Sequence, residues 1–206
     1  MKFEIRSVKK KYGKKEPLTD ASLSAKEGQC IGILGKNGIG KSTLLSILAG
    51  VQGADDGEFL YADDGESFFD LLKDRKTLSE KVGYVPQGTP LFEELSARDN
   101  LLLWYDKATM KNELSNGFLA MLGINDFLKV TVSKMSGGMK KRLSIGCALA
   151  NHPKVLLLDE AFSALDYQTR IKVTVDIYQI LKLENITTIM VTHDISEAIS
   201  MADRVV

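Results

Sequence analysis

One segment constrains this chain more than any other: CIGILGKNGIGKSTLLSILAG, residues 30–50. The apolar run from Cys30 to Leu34 reads as a buried strand, and it leads into Gly35, Gly38 and Gly40, then Lys41 and Ser42. Behind them Leu44, Ile47 and Leu48 fall on one face of a helix that Gly50 stops. Gly35 to Ser42 fits the phosphate-loop pattern G-x-x-x-x-G-K-[ST], with the strand before it and the helix after it that the pattern requires. The glycines let the backbone curl so that successive N–H groups point inward at phosphate oxygens, and the helix adds its positive end. Gly35, Lys36, Asn37, Gly38, Ile39, Gly40, Lys41, Ser42 and Thr43 are therefore the expected nucleotide-binding residues. Lys41 would serve the β- and γ-phosphates, and the Ser42 hydroxyl would ligate Mg²⁺.

Phosphoryl transfer also needs a carboxylate at the metal and a group to orient water. VLLLDE, residues 155–160, offers both at the end of a continuous apolar run. Asp159 is expected to hold Mg²⁺, and Glu160, one residue on, to act as the general base.

Apolar runs at 82–85, 155–158 and 187–191 read as strands, and Val173, Ile177, Ile180 and Leu181 as one helical face. Alternating strands and helices argue for a parallel α/β core. Phe3 and Ile5 alternate with charges as an early strand, and a second strand is expected around Ala21–Ala25, ending at Glu27-Gly28. Residues 91–134 show no strand pattern and read as a helical insert, opened by a Ser96 cap and continued by Phe118, Met121 and Leu122. The closing ADRVV looks like the opening of a further strand. The Lys9–Lys15 charge run reads as a solvated strand-and-turn surface. With 27 basic and 27 acidic residues the net charge is zero, so composition gives no support for nucleic-acid binding. Cys30 and Cys147 lie in apolar runs without metal-ligand spacing and read as buried reduced thiols, which suits the cytoplasm. The opening residues are charged and alternating, and no apolar run approaches the roughly 20 residues of a bilayer span.

With the phosphate loop, the strand-end carboxylates and KMSGGMKKR (residues 134–142) in that order, the chain resembles the ABC ATPase family over nearly its whole length. The resemblance implies a P-loop NTPase core with a parallel central sheet, an N-terminal antiparallel β-subdomain and an inserted α-helical subdomain at about 91–150, all within one domain, 1–206. It also assigns roles. Ser136, Gly137 and Gly138 resemble the signature motif that faces the γ-phosphate held by another subunit. Tyr12 in KKYG resembles the aromatic that stacks on adenine. Gln87 in YVPQ resembles the glutamine that reaches Mg²⁺ and the attacking water. Asp166 in SALD resembles the loop that meets its twin across the dimer, and His193 in VTHD the switch histidine at the γ-phosphate. His152, in ANHPKV, is given no role. Three positions depart from the usual pattern: Met135 for Leu and Met139 for Gln in the signature, and Ala161 for the Pro after the base. Loss of a polar side chain at Met139 costs about 1 kcal/mol if one hydrogen bond goes with it.

The resemblance thus implies an ATP- and Mg²⁺-dependent ATPase, peripheral on the cytoplasmic face of the membrane. Its expected partners are a second cassette, as homodimer or with a paralogue, and an integral membrane permease. Leu91, Phe92, Leu95, Trp104 and Tyr105 concentrate the apolar area expected to meet that permease. Import and export remain open. FEELSARDNL and MKKRLSIGCAL are similar to exporters and give export a slight lead, while FSALDYQTR and VTHDISEAISMADRVV are similar to nitrate- and sulfonate-type importers. A weakly active regulatory ATP-binding cassette is a further alternative, resting on Met139.

Overall fold

The computed structural model describes residues 2–63 and 67–206. Strands β1 (Lys2–Tyr12) and β2 (Lys15–Lys26) form an antiparallel hairpin about Gly13, with Phe3 opposite Ala25 and Ile5 opposite Leu23. β2 is longer than the Ala21–Ala25 expectation: its first turnward residues are exposed and polar, so hydrophobicity alone marks only its far end. β3 (Cys30–Leu34) runs into the glycine loop and helix α1 (Lys41–Leu48). β4 (Asp56–Ala62), β5 (Phe69–Asp70) and α2 (Arg75–Lys81) fill a stretch in which the sequence showed no element. β4 pairs with the free side of β1, completing an antiparallel sheet of order β2-β1-β4-β5.

β6 (Val82–Val85) is followed by α3 (Ala97–Leu101), α4 (Lys107–Asn116), α5 (Phe118–Met121) and α6 (Gly137–Ala148), the helical region expected from the sequence. Ser96 does cap α3, its side chain accepting from the Asp99 N–H. β7 (Val155–Asp159), α7 (Tyr167–Leu183), β8 (Thr187–Thr192), α8 (Ile195–Met201) and β9 (Arg204–Val205) complete the chain. The second sheet is parallel, with order β6-β7-β8-β3-β9.

β7 is buried throughout, as a central parallel strand must be. Its period-2 alternation sorts the core. Val155 and Leu157 join Phe3, Phe59, Leu45 and Ile47 around α1, between the two sheets. Leu156 and Leu158 join Leu101, Leu119, Leu122, Leu143 and Ile177 on the helical side. Cys30 is buried and Cys147 half-buried; burial pushes both thiols up to about 12. Among the described residues no helix is long and apolar enough to cross a membrane.

Candidate functional site

The glycine loop closes where α1 begins. Gly40 has φ +103 and lies against the Pro17 carbonyl, so any Cβ there would both strain the backbone and collide with β2. No side chain caps α1, and no acidic residue sits in its first turn. Its first N–H groups, and the positive end of the helix, are left facing the cleft. Lys41 is buried, and its Nζ donates to the carbonyls of Gly35 at 2.6 Å and Lys36 at 2.9 Å, an ammonium held over its own loop.

Folding brings β7 to this point. The Ser42 Oγ donates to Asp159 Oδ1 at 2.8 Å across a sequence separation of 117 residues. Burial pushes the Asp159 carboxyl above its usual range, and the Glu160 charge adds to this, while Ser42, Tyr84 and Lys41 oppose it. Glu160 leaves the strand line: its φ is +45, in the sparsely populated left-handed region, while its N–H still donates to Val191 O at 2.8 Å. Two groups converge on its Oε2. The Gln87 amide donates to it at 3.2 Å, and His193 Nδ1 stands 3.5 Å away. The His193 turn is itself braced: Asp194 caps α8 and pairs with Arg170 at 2.7 Å, and Thr192 Oγ1 donates to the buried Glu197 at 2.6 Å.

Lys41, Ser42, Gln87 and Glu160 line one open cleft of about 750 Å³ with Tyr12 and Asn37, and Asp159 and His193 stand behind it, against Ser42 and Glu160. Tyr12 is half-exposed on its rim, its hydroxyl donating to Gln52. Gly38, Gly40 and Thr43 also line the cleft, and Gly35 and Lys36 hold Lys41 from behind. Ile39 is exposed on the loop, its side chain lying over Gly35.

Ser136, Gly137, Gly138 and Asp166 do not line that cleft; they form a second place. Ser136 caps α6, accepting from the Met139 N–H at 3.2 Å, and Asp166 caps α7, accepting from the Thr169 N–H at 3.0 Å. The two helix starts pack so closely that a Cβ on Gly138 would come within 2.7 Å of Thr169 Cγ2. Met139 is half-buried against the helical-side core, so the departure from Gln is an apolar packing residue rather than merely a lost polar group.

Two contributors were missed by sequence reasoning. Tyr84, on the neighbouring strand, helps to offset the effect of burial on the Asp159 carboxyl, and Lys141, in the first turns of α6, reaches the Gly88 carbonyl at 2.9 Å. Strand pairing and a lysine's direction have no local sequence signal. Of the five residues expected to form a docking surface, Tyr105 is buried, its hydroxyl donating to Gly146 O at 2.7 Å, whereas Phe92 and Trp104 are exposed at 61% and 62%. Leu91 and Trp104 border an apolar groove of about 580 Å³ with Tyr84, Pro86, Cys147 and Pro153. His152 lies against Glu113 at 3.5 Å and the Phe118 ring, away from the cleft.

The chain is similar to proteins of known kind over nearly its whole length. The family model described as ABC transporter matches residues 18–163. The spermidine/putrescine import ATP-binding protein of Thermotoga maritima is 37% identical over 205 residues, covering 98% of this chain and 54% of that protein. A sulfate/thiosulfate import ATP-binding protein of Bacillus cereus is 35% identical, covering 100% and 58%. The aliphatic sulfonates import ATP-binding protein of Cupriavidus necator is 36% identical, covering 99% and 65%. The chain thus spans a little over half to about two thirds of the length of these relatives. Among solved structures, a dimeric ATP-binding cassette in a post-hydrolysis state with ADP and Pi is similar at TM-score 0.80 and 28% identity, covering 99% of this chain and 93% of that one.

Proposed function

The chain belongs to the ABC transporter family, and from that premise we propose that it is an ATP-binding and ATP-hydrolysing cassette that drives a separate membrane permease. The observation that supports this most is that Lys41, Ser42, Gln87 and Glu160, from three chain segments, line one cleft, with Asp159 bonded to Ser42 and His193 3.5 Å from Glu160. In this reading the loop N–H groups and Lys41 hold the β- and γ-phosphates, with Tyr12 at the adenine. Ser42 and Asp159 fit a divalent cation. They pair a hydroxyl with a carboxylate that burial leaves in need of a counter-charge, and Mg²⁺ is commonly held by so few protein ligands plus phosphates. Among the described residues no group of three carboxylate, His or Cys side chains would hold a metal alone. The cation, with Gln87 among its ligands, would neutralise charge on the phosphates. Glu160 takes the proton of the attacking water, and Gln87 and His193 aim its carboxylate. Lys41 stabilises the charge developing as the P–O bond to ADP breaks.

The second cassette would present Ser136, Gly137, Gly138 and Asp166 to the γ-phosphate side of the cleft. That these residues lie outside their own chain's cleft, with the likeness to a dimeric cassette, supports this. The permease would dock at the groove beside Trp104 and hold the chain on the cytoplasmic face of the membrane. We infer that the transport is import. The slight lean to export finds no support among the relatives, whose names describe importers of polyamines, sulfate and sulfonates. The presence of Lys41, Asp159, Glu160 and His193 weighs against the weakly active regulatory cassette that Met139 suggested. The test is Glu160→Gln. It should bind Mg-ATP, hydrolyse it very slowly and elute as a dimer in gel filtration with ATP. Near-normal hydrolysis would remove Glu160 as base, and an ATP-loaded mutant that stays monomeric even with its permease would remove the shared site.

A further inference from the structure

The start of α6 carries Lys140, Lys141 and Arg142, and each side chain goes a different way. Arg142 donates to the Leu122 carbonyl at 3.1 Å and pairs with Asp176. Lys140 grips both oxygens of Glu93, at 2.8 and 2.9 Å. Lys141 turns inward, is only 4% exposed, and donates to the Gly88 carbonyl at 2.9 Å. The carboxylates on the surrounding segments are engaged elsewhere: Glu93 with Lys140, Asp176 with Arg142, Asp99 with Ser96. Burying an ammonium against a backbone dipole is costly, and burial is the only cause acting on Lys141, lowering its pKa to about 8. A position that served packing alone would be met at lower cost by an apolar side chain.

Gly88 is the residue after Gln87, and the Gln87 amide rests on Glu160. We propose that Lys141 is a positioning residue for hydrolysis: by fixing the Gly88 carbonyl it aims Gln87 at Glu160, and with Lys140 it makes the start of α6 and the Gln87 segment move as one unit. This joins the two separated places described above. A displacement of Ser136–Gly138 by a partner would be felt at the general base by a short route, through two lysines and the backbone bonds of Ser133 to Glu93 and Val132 to Leu95.

The inference rests on the ATPase reading, and its test separates the two. In the full chain, Lys141→Met removes the donor and keeps the apolar stem, while Lys141→Gln keeps an N–H donor. The Met variant is expected to turn over Mg-ATP about tenfold more slowly, with KM for ATP within about twofold of wild type, and the Gln variant to recover most of the rate. In a Gln87→Ala background, Lys141→Met should cost nothing further, because the lysine acts through that side chain. Amide hydrogen exchange should rise over residues 86–93 in the Met variant and stay unchanged over 35–43, whatever the turnover. Wild-type turnover in the Met variant, equal loss in Met and Gln variants, additive losses with Gln87→Ala, or unchanged exchange at 86–93 would each overturn the proposal. Failure of the ATPase reading would show instead as no Mg-ATP turnover in the wild-type chain, or as turnover that Lys41→Ala leaves undiminished.

Discussion

Two helices in this chain begin at glycines, and they are finished in opposite ways. α1 starts at Gly40 with no side chain on its first N–H groups and a buried lysine beside them. α6 starts at Ser136, whose own hydroxyl accepts from the Met139 N–H, and its buried first-turn glycine is wedged against α7. An open N-terminus with a cation beside it is an anion site within its own chain. A capped one is stable without a ligand; the Ser136 hydroxyl, having accepted one hydrogen bond, keeps its proton to donate outward. Under the proposed function, the same glycine chemistry serves a binding site in one place and a preassembled contact surface in the other.

The largest effects should come from the α1 side. Glu160→Gln should lower turnover by about 10³-fold, within the range for loss of a general base, in single-turnover assays. Lys41→Ala should lower it by about 10²-fold and weaken nucleotide binding as well, read by isothermal titration with Mg-ATP. If it left binding intact, the open helix end alone would be sufficient and the contrast with α6 would lose its cation.

The α6 side should respond in stability as well as in turnover. Lys141 titrates at about 8 in the folded chain against 10.5 as its ordinary value. The unfolded chain therefore binds one proton more between those values, so stability should rise with pH from about 8 to 10.5. The rise is at most about 3 kcal/mol and should be absent from Lys141→Met in urea titrations across that window. Ser136→Ala should cost about 1 kcal/mol of stability through loss of the cap. An equal cost from substituting Gly40, which has no cap to lose, would come from backbone strain and would show as altered nucleotide binding too. Smallest of all, Met139→Gln should change turnover less than about threefold. A restored polar contact is offset by lost packing against the helical core, so the thermal midpoint should fall slightly.

The α1 side was legible in sequence because each step of it is local: apolar strand, three glycines, Lys41-Ser42, helical face. Asp159 and Glu160 were legible for the same reason, as the end of an apolar run. Residues 51–81 were not, because β4, β5 and α2 are short, and half of their meaning lies in pairing with β1. Tyr105 reads as surface aromatic area and is core, since a hydrogen bond to a distant carbonyl lets a tyrosine be buried. Lys141 is hidden among four basic residues, and only the packing of α6 shows which of them points inward. The lean to export, which finds no support among the relatives, had a different weakness. Residues 92–101 and 139–149, on which it rested, lie outside the cleft.

The sheet order has a consequence for how the chain is made. β3 carries the nucleotide loop but pairs with β8 and β9, and β7 reaches it only across β8. A ribosome releases Gly35–Ser42 long before the strands that flank it exist, while β1 and β2 can zip locally as a hairpin. Long-range parallel pairing is slow, and unpaired strand edges aggregate while they wait. Synthesis should thus pass through a stage in which an N-terminal hairpin is formed and an apolar β3 is bare. Fragments ending before about Thr187 should be insoluble or chaperone-bound, and the nucleotide cleft should be the last part of the molecule to become functional.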